Sequence, residues 1–198
     1  PSISSQPSSG SDVCVGGSPS AMSVTATGGS GSYTYQWYSN GSNSNSGGSS
    51  IGSATSSSYS PPGSSAGTVY YYCTVSDAQS GCGTATSNTA SQTVDAAATV
   101  SDAGDDISQC NNGSFTMAAN SPASGTGAWS VVSGSATISS SSSNTSAVTS
   151  VSTGSNATLR WTITNGTCSS TDDVVITNNT LPTVDAGSAA CATGSLDL

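Results

Sequence analysis

Six cysteines carry most of the chemistry available to this chain of 198 residues: Cys14, Cys73, Cys82, Cys110, Cys168 and Cys191. The other titratable residues are few. All ten acids are aspartates, the lone base is Arg160, and histidine, lysine and glutamate are absent. Without histidine or lysine, the Ser-His-Asp and Cys-His nucleophile arrangements cannot be built, and no His or Lys base exists. Histidine ligation of zinc is excluded as well, and no cysteine spacing resembles a zinc ribbon. Cysteines among so few charges point instead to disulfides formed in an oxidising, extracellular setting. The expectation is a protein that is not an enzyme.

The aspartates offer a second, weaker possibility. Asp102, Asp105 and Asp106 lie close together, and Asp172 and Asp173 form another pair. Carboxylate oxygens suit Ca²⁺, so the first cluster is a candidate calcium site that would stiffen the chain. Turn formation by aspartate explains the same cluster equally well. No other cofactor is implied. A net charge of −9 and a pI near 4.1 argue against nucleic acid and anionic membrane, both of which need clustered Lys or Arg. No apolar run is long enough for insertion in a membrane.

The elements that must position these residues are read from repeats and alternation. "SDAGDDISQC" (101–110) and "TVDAGSAAC" (183–191) share Asp-Ala-Gly followed by Cys. Cys14, Cys110 and Cys191 thus open successive modules, while "SGCGTATS" at Cys82 and "NGTCSSTDD" at Cys168 close them. A period of roughly 80–95 residues suits a β-sandwich. The expected units are 1–98, 99–181, and the start of a third at 182–198. Within them, Met22, Val24 and Ala26 share a face, as do Tyr33, Tyr35 and Trp37, and Val69, Tyr71, Cys73 and Val75. Phe115, Met117 and Ala119 alternate, as do Trp129 and Val131. Ala157, Leu159, Trp161 and Ile163 form the cleanest run, with Arg160 on the opposite, solvent face. Asn165-Gly166 is a hairpin signal. The fold class is therefore all-β, a tandem of β-sandwiches.

Two pairings compete for the cysteines. "VYYYCTVSD" spells the sixth strand of an immunoglobulin sandwich, whose cysteine bonds across the core to the second strand. That second strand, at Met22–Ala26, carries no cysteine, and Cys14 precedes it. The repeat instead pairs opening with closing cysteine in each unit, Cys14 with Cys82 and Cys110 with Cys168. Cys73 then becomes a small buried hydrophobe, and Cys191 is expected to await a partner in the remainder of the third unit.

"YTYQWYSN", "IGSATSSSYSPPGSSAGTVYYYCTVSD" and "GCGTATSNTA" resemble the Ig-like repeats of very large surface proteins of Bacteroidota. "DAGDDISQC", "GTGAWSVVSGSATI" and "LRWTITNGTCSSTDDVVIT" resemble the PKD-like repeats that accompany them. The resemblance implies secretion, tandem Ig-like and PKD-like arrays, and roles as adhesins, gliding adhesins or extracellular fibres. It implies no particular ligand. Expected partners are neighbouring copies or modules of the same protein, and surface glycans. Trp37, Trp129 and Trp161 fall on inward faces, which leaves Tyr38, Tyr70 and Tyr72 as an outward ladder for glycan or module contact; cross-strand pairing is the plainer reading. A strand-complementing filament subunit, donating Pro1–Pro7 or Ala192–Leu198 to a neighbour, is an alternative. Edges without lysine fit such association. A carbohydrate-binding accessory module is a further alternative.

Overall fold

The structure is a computed structural model that describes residues 1–184 apart from 78, 80–82 and 111–112. Every regular element among them is a strand. The first ten are β1 (Ser2–Ser5), β2 (Val13–Cys14), β3 (Met22–Ser23), β4 (Thr25–Thr27), β5 (Tyr33–Asn40), β6 (Ser49–Ser50), β7 (Ser58–Tyr59), β8 (Gly67–Asp77), β9 (Thr84–Thr86) and β10 (Ala90–Asp95). The remaining seven are β11 (Ile107–Cys110), β12 (Phe115–Thr116), β13 (Thr126–Ser133), β14 (Thr137–Ile138), β15 (Ala147–Thr149), β16 (Ser155–Asn165) and β17 (Cys168–Asn179).

These strands enclose two separate cores. Around the first, a sheet ordered β2-β10-β8-β5-β6, with β9 also on β8, faces the pairs β1-β4 and β3-β7. Around the second, a sheet ordered β11-β17-β16-β13 faces β12-β15-β14. In each principal sheet an early strand runs parallel to the last one, β2 beside β10 and β11 beside β17. All other pairings are antiparallel. The two halves are therefore two all-β, immunoglobulin-like sandwiches.

Alternation explains why each strand sits where it does. In the first core, Met22, Val24, Trp37, Tyr71, Cys73 and Val75 are buried, with Tyr33, Tyr35 and Tyr59 packed against them. Trp37 on β5 lies directly opposite Cys73 on β8. In the second, Phe115, Met117, Trp129, Leu159, Trp161, Ile163, Val174 and Ile176 fill the space between the sheets. The expected Trp129/Val131 alternation fails at its far end. Val131, opposite Leu159, is 40% exposed, and the register shifts just beyond it, between Val131 and Ser133, near the end of β13. Asn165-Gly166 does form the tight β16–β17 turn, with Asn165 paired to Cys168 and Gly166 at positive φ.

Candidate functional site

The chemistry of the cysteines converges on the junction between the sandwiches. β2 ends at Cys14, opposite Asp95 at the end of β10. The Val15 N–H donates to the Asp95 carbonyl at 2.9 Å, so this corner is fixed on the backbone as well. The β16–β17 turn of the second sandwich meets it. Cys168, the first residue after the turn, is bonded to Cys14 with a Cα–Cα distance of 4.9 Å. The expected pairs Cys14–Cys82 and Cys110–Cys168 are thereby corrected: the disulfide joins the opening cysteine of the first unit to the closing cysteine of the second. A repeat shows which positions are equivalent, but not which neighbour each position faces.

Hydrogen bonds surround the disulfide. The Thr167 N–H donates to Asp95 Oδ2 at 2.6 Å, and Asn165 Nδ2 donates to the Ala96 carbonyl at 2.9 Å. Asn165 Nδ2 also reaches Ser124 Oγ at 3.0 Å. Asp95 therefore holds the tip of the turn while Asn165 holds the start of the connecting segment. Gly166 is required here twice over. Its φ of 57° favours glycine, and any Cβ would collide with the Asp95 carboxyl.

The connecting segment is tied down along its length. The Thr99 N–H donates to the Ser124 carbonyl, and Thr99 Oγ1 accepts from the N–H groups of Ala123 and Ser124. Ser101 is bonded twice to Ser170, and the Ala103 N–H donates to Asp172 Oδ2 at 2.7 Å. Bonds at Ala96, Thr99, Val100, Ser101, Asp102 and Ala103 thus hold the segment at successive points. A covalent clasp, a charged hydrogen bond and a bound linker together fix one sandwich on the other.

The remaining cysteines divide sharply. Cys73 is fully buried and free. Its backbone N–H donates to Ser87 Oγ at 2.9 Å, and burial pushes its thiol up to about 11. It is packing, not a nucleophile. Cys110 is free and exposed. Cys82 and Cys191 lie outside the described residues.

The aspartates are engaged with backbone. Asp102 Oδ1 accepts from the Gly104 N–H, and Asp106 Oδ1 accepts from the Val175 N–H at 2.8 Å. Asp105 is exposed. Among the described residues no group of three or more acidic, cysteine or histidine side chains converges to hold a metal. In the cluster at Asp102, Asp105 and Asp106, Asp102 closes a turn onto Gly104, and Asp106 binds the N–H of Val175 on β17.

The tyrosine ladder is also altered. Tyr38 and Tyr72 stack face to face, with centroids 5.0 Å apart and planes at 5°. Tyr72 is only 4% exposed, because the 41–48 loop folds over it and the Gly48 N–H donates to its hydroxyl at 3.1 Å. Asn45 pins that loop to the Ser87 carbonyl, and Thr89 bonds Asn43. Tyr72 is thus removed from the outward set. Tyr38 and Tyr70 are half-buried. The N-terminal segment is likewise occupied, since β1 pairs with β4 of its own sandwich. Ala192–Leu198 lies outside the described residues.

Neither Asp95 nor Asn165 is legible as a site residue in the sequence: Asn165 reads as part of a turn, and nothing about Asp95 separates it from nine other aspartates.

Known proteins fit this architecture. A family model described as a domain of unknown function (DUF8696) matches residues 4–96, less than half of the chain. No curated protein matches the sequence. Among solved structures, the extracellular domains 3–5 of Drosophila OTK superpose with a TM-score of 0.57 at 14% identity, over 89% of this chain and 61% of that one. Immunoglobulin domains 1–4 of Sidekick-1 superpose with a TM-score of 0.53 at 12% identity, over 90% of this chain and 48% of that one. The chain spans less than two thirds of either structure. At such identities the likeness is one of fold: an immunoglobulin-like β-sandwich protein.

Proposed function

We propose that this chain is a structural and adhesive segment of an extracellular bacterial surface fibre, of the kind built by Bacteroidota from tandem Ig-like and PKD-like units. In this reading the units are 1–98 and 99–181, with a third beginning in 182–198. Catalysis has no part in it, and its partners are neighbouring modules.

The observation that carries the proposal is the Cys14–Cys168 clasp. A pull applied to the two ends of the chain enters at residues before Cys14 and leaves after Cys168. The covalent bond short-circuits everything between them, a sequence separation of 154. Both hydrophobic cores lie almost wholly inside that bypass. Tension on the two ends therefore cannot extend residues 14–168 without breaking the disulfide and reaches only the flanking strands β1 and β17, which is a property suited to a stalk. The polar, lysine-free surface keeps such a stalk hydrated without offering trypsin more than the site at Arg160.

Force spectroscopy with handles at the two termini tests the mechanical part. Reduction should release about 500 Å of additional length, at roughly 3.3–3.6 Å per residue over the separation the bond spans. Equal extension before and after reduction would remove the basis of the proposal. Immunogold electron microscopy of intact cells tests the location, and labelling confined to the cell interior would contradict it.

A further inference from the structure

We infer that Cys110 is the docking point for the turn-borne cysteine of a following module of the same fold, so that the clasp at Cys14–Cys168 recurs at the next junction. The inference rests on the tandem-fibre reading above.

Two independent observations bring Cys110 forward. The first is its place in the fold. Cys14 is the last residue of β2, which runs parallel to the final strand of its sheet, opposite Asp95. Cys110 is the last residue of β11, which runs parallel to the final strand of its own sheet, opposite Asn179. Asp95 ends β10 and Asn179 ends β17, so the chain leaves both sandwiches beside the cysteine. The second observation is the bonding state within one molecule. At the first of these two equivalent corners the cysteine is bonded to the next sandwich's turn. At the second the cysteine is free and exposed. The sequence after Asn179 then resumes with "TVDAGSAAC", matching the "TVSDAG" that starts the second sandwich.

The corners differ in one informative residue. Asp95 accepts the Thr167 N–H with a carboxylate. At the second corner the equivalent side chain is the amide of Asn179, whose Nδ2 already donates to Ser108 Oγ at 2.7 Å. Its Oδ1 can accept an incoming turn N–H in the same manner, but without a charge. The disulfide therefore carries a larger share of this second clasp. Its formation joins two thiols through one S–S bond. Two electrons and two protons pass to a disulfide-bearing exchange catalyst, which leaves as the dithiol. That is the same chemistry that must form Cys14–Cys168.

The test is disulfide mapping on the full native polypeptide. Free thiols are alkylated in denaturant, and the protein is then digested with pepsin at acid pH, which prevents exchange and does not depend on the scarce basic residues. The expected result is a Cys14–Cys168 peptide pair, plus Cys110 joined to a cysteine of the same polypeptide beyond residue 198. Alkylated Cys110 overturns the inference, as does a bond from Cys110 to Cys73, Cys82 or Cys191. A bond to a second copy, seen as a doubled mass on a non-reducing gel, overturns it too. Loss of the Cys110 bond with Cys14–Cys168 intact sinks only this inference; absence of both removes the clasp and the fibre reading with it.

Discussion

The two sandwiches fill equivalent space with opposite choices. In the first, β5 contributes the large Tyr35 and Trp37, and the partner positions on β8 are the smaller Val75 and Cys73. In the second, β13 contributes Gly127 and Trp129, and the partners on β16 are Ile163 and Trp161. The small Cys73 lies opposite the bulky Trp37; bulk missing at Gly127 is supplied by Trp161, whose indole lies over the bare glycine so closely that any Cβ there would overlap it. The Trp129 and Trp161 rings pack at 5.1 Å with a 45° tilt. The comparison shows what Cys73 is for. It is the small half of a large–small pair, and the second sandwich manages without a thiol at the same position.

The strongest way to break this comparison is to upset the pair. Trp161→Ala should cost about 3–5 kcal/mol, the range for deleting a buried large aromatic. Gly127→Ala should cost at least about 1–3 kcal/mol through overpacking. In the Trp161→Ala background, however, the added methyl finds room, and its cost should nearly vanish. A denaturant-based double-mutant cycle reads this coupling directly. Additive losses would mean that the ring over Gly127 is not the cause.

The tryptophans sharpen the contrast further. Trp37 Nε1 donates to the Ser56 carbonyl at 2.9 Å, whereas among the described residues neither Trp129 Nε1 nor Trp161 Nε1 has a protein partner. Trp37→Phe removes a hydrogen bond and strands a carbonyl; Trp161→Phe removes none. The first substitution should therefore be the more costly by about 1 kcal/mol in the same denaturation assay. Equal losses would show that packing alone sets both.

These contrasts mark how far the sequence can be read. Alternation showed which residues of β8 and β16 face inward, because a pleated strand with one buried face must alternate. Asn165-Gly166 announced its turn through local backbone preference. Three features escaped. The Cys14–Cys168 pairing depends on how one sandwich is set on the next, and periodicity within a sandwich carries no trace of that. Asp95 matters because of where β10 ends, not because of its neighbours in sequence. Alternation puts Tyr72 on the outer face, yet a face says nothing about the Ser- and Asn-rich loop that covers it.

Burial at Cys73 gives a pH-dependent version of the comparison. The thiol is raised from about 9 to about 11, chiefly by desolvation, so the native state holds its proton more tightly than the unfolded chain does. The stability this provides is fully present below pH 9 and is lost as the pH rises towards 11. Cys73→Ala should flatten that part of the first sandwich's pH profile. In the native protein at neutral pH, an alkylating reagent should leave the buried Cys73 unmodified until the first core opens. Rapid labelling of Cys73 would show that the core opens more readily than its packing implies. On the covered outer face, Tyr72→Phe should cost about 0.5–1.5 kcal/mol and speed amide exchange at Gly48, whose partner is lost.

The outer face of the second sandwich should respond least. There the single base of the chain meets a cross-strand carboxylate: Arg160 Nε donates to Asp173 Oδ1 at 2.7 Å, and its Nη2 donates to Oδ2 at 2.8 Å. The geometry is bidentate, but the side chains are 42% and 37% exposed, so water competes for both charges. Hydrogen bonding to Arg160, aided by its charge, holds Asp173 below the usual carboxylate range. Any stability gained is therefore present above the ordinary aspartate titration and is lost as pH falls through the lowered native value. Arg160→Gln should leave the midpoint of unfolding almost unchanged at neutral pH. Whatever small effect remains should shrink in high salt, as screening of an exposed pair requires. A large, salt-insensitive loss would show that Arg160 supports the sheet through its aliphatic stem, and that the outer faces of the two sandwiches are more alike than Tyr38 stacked on Tyr72 suggests.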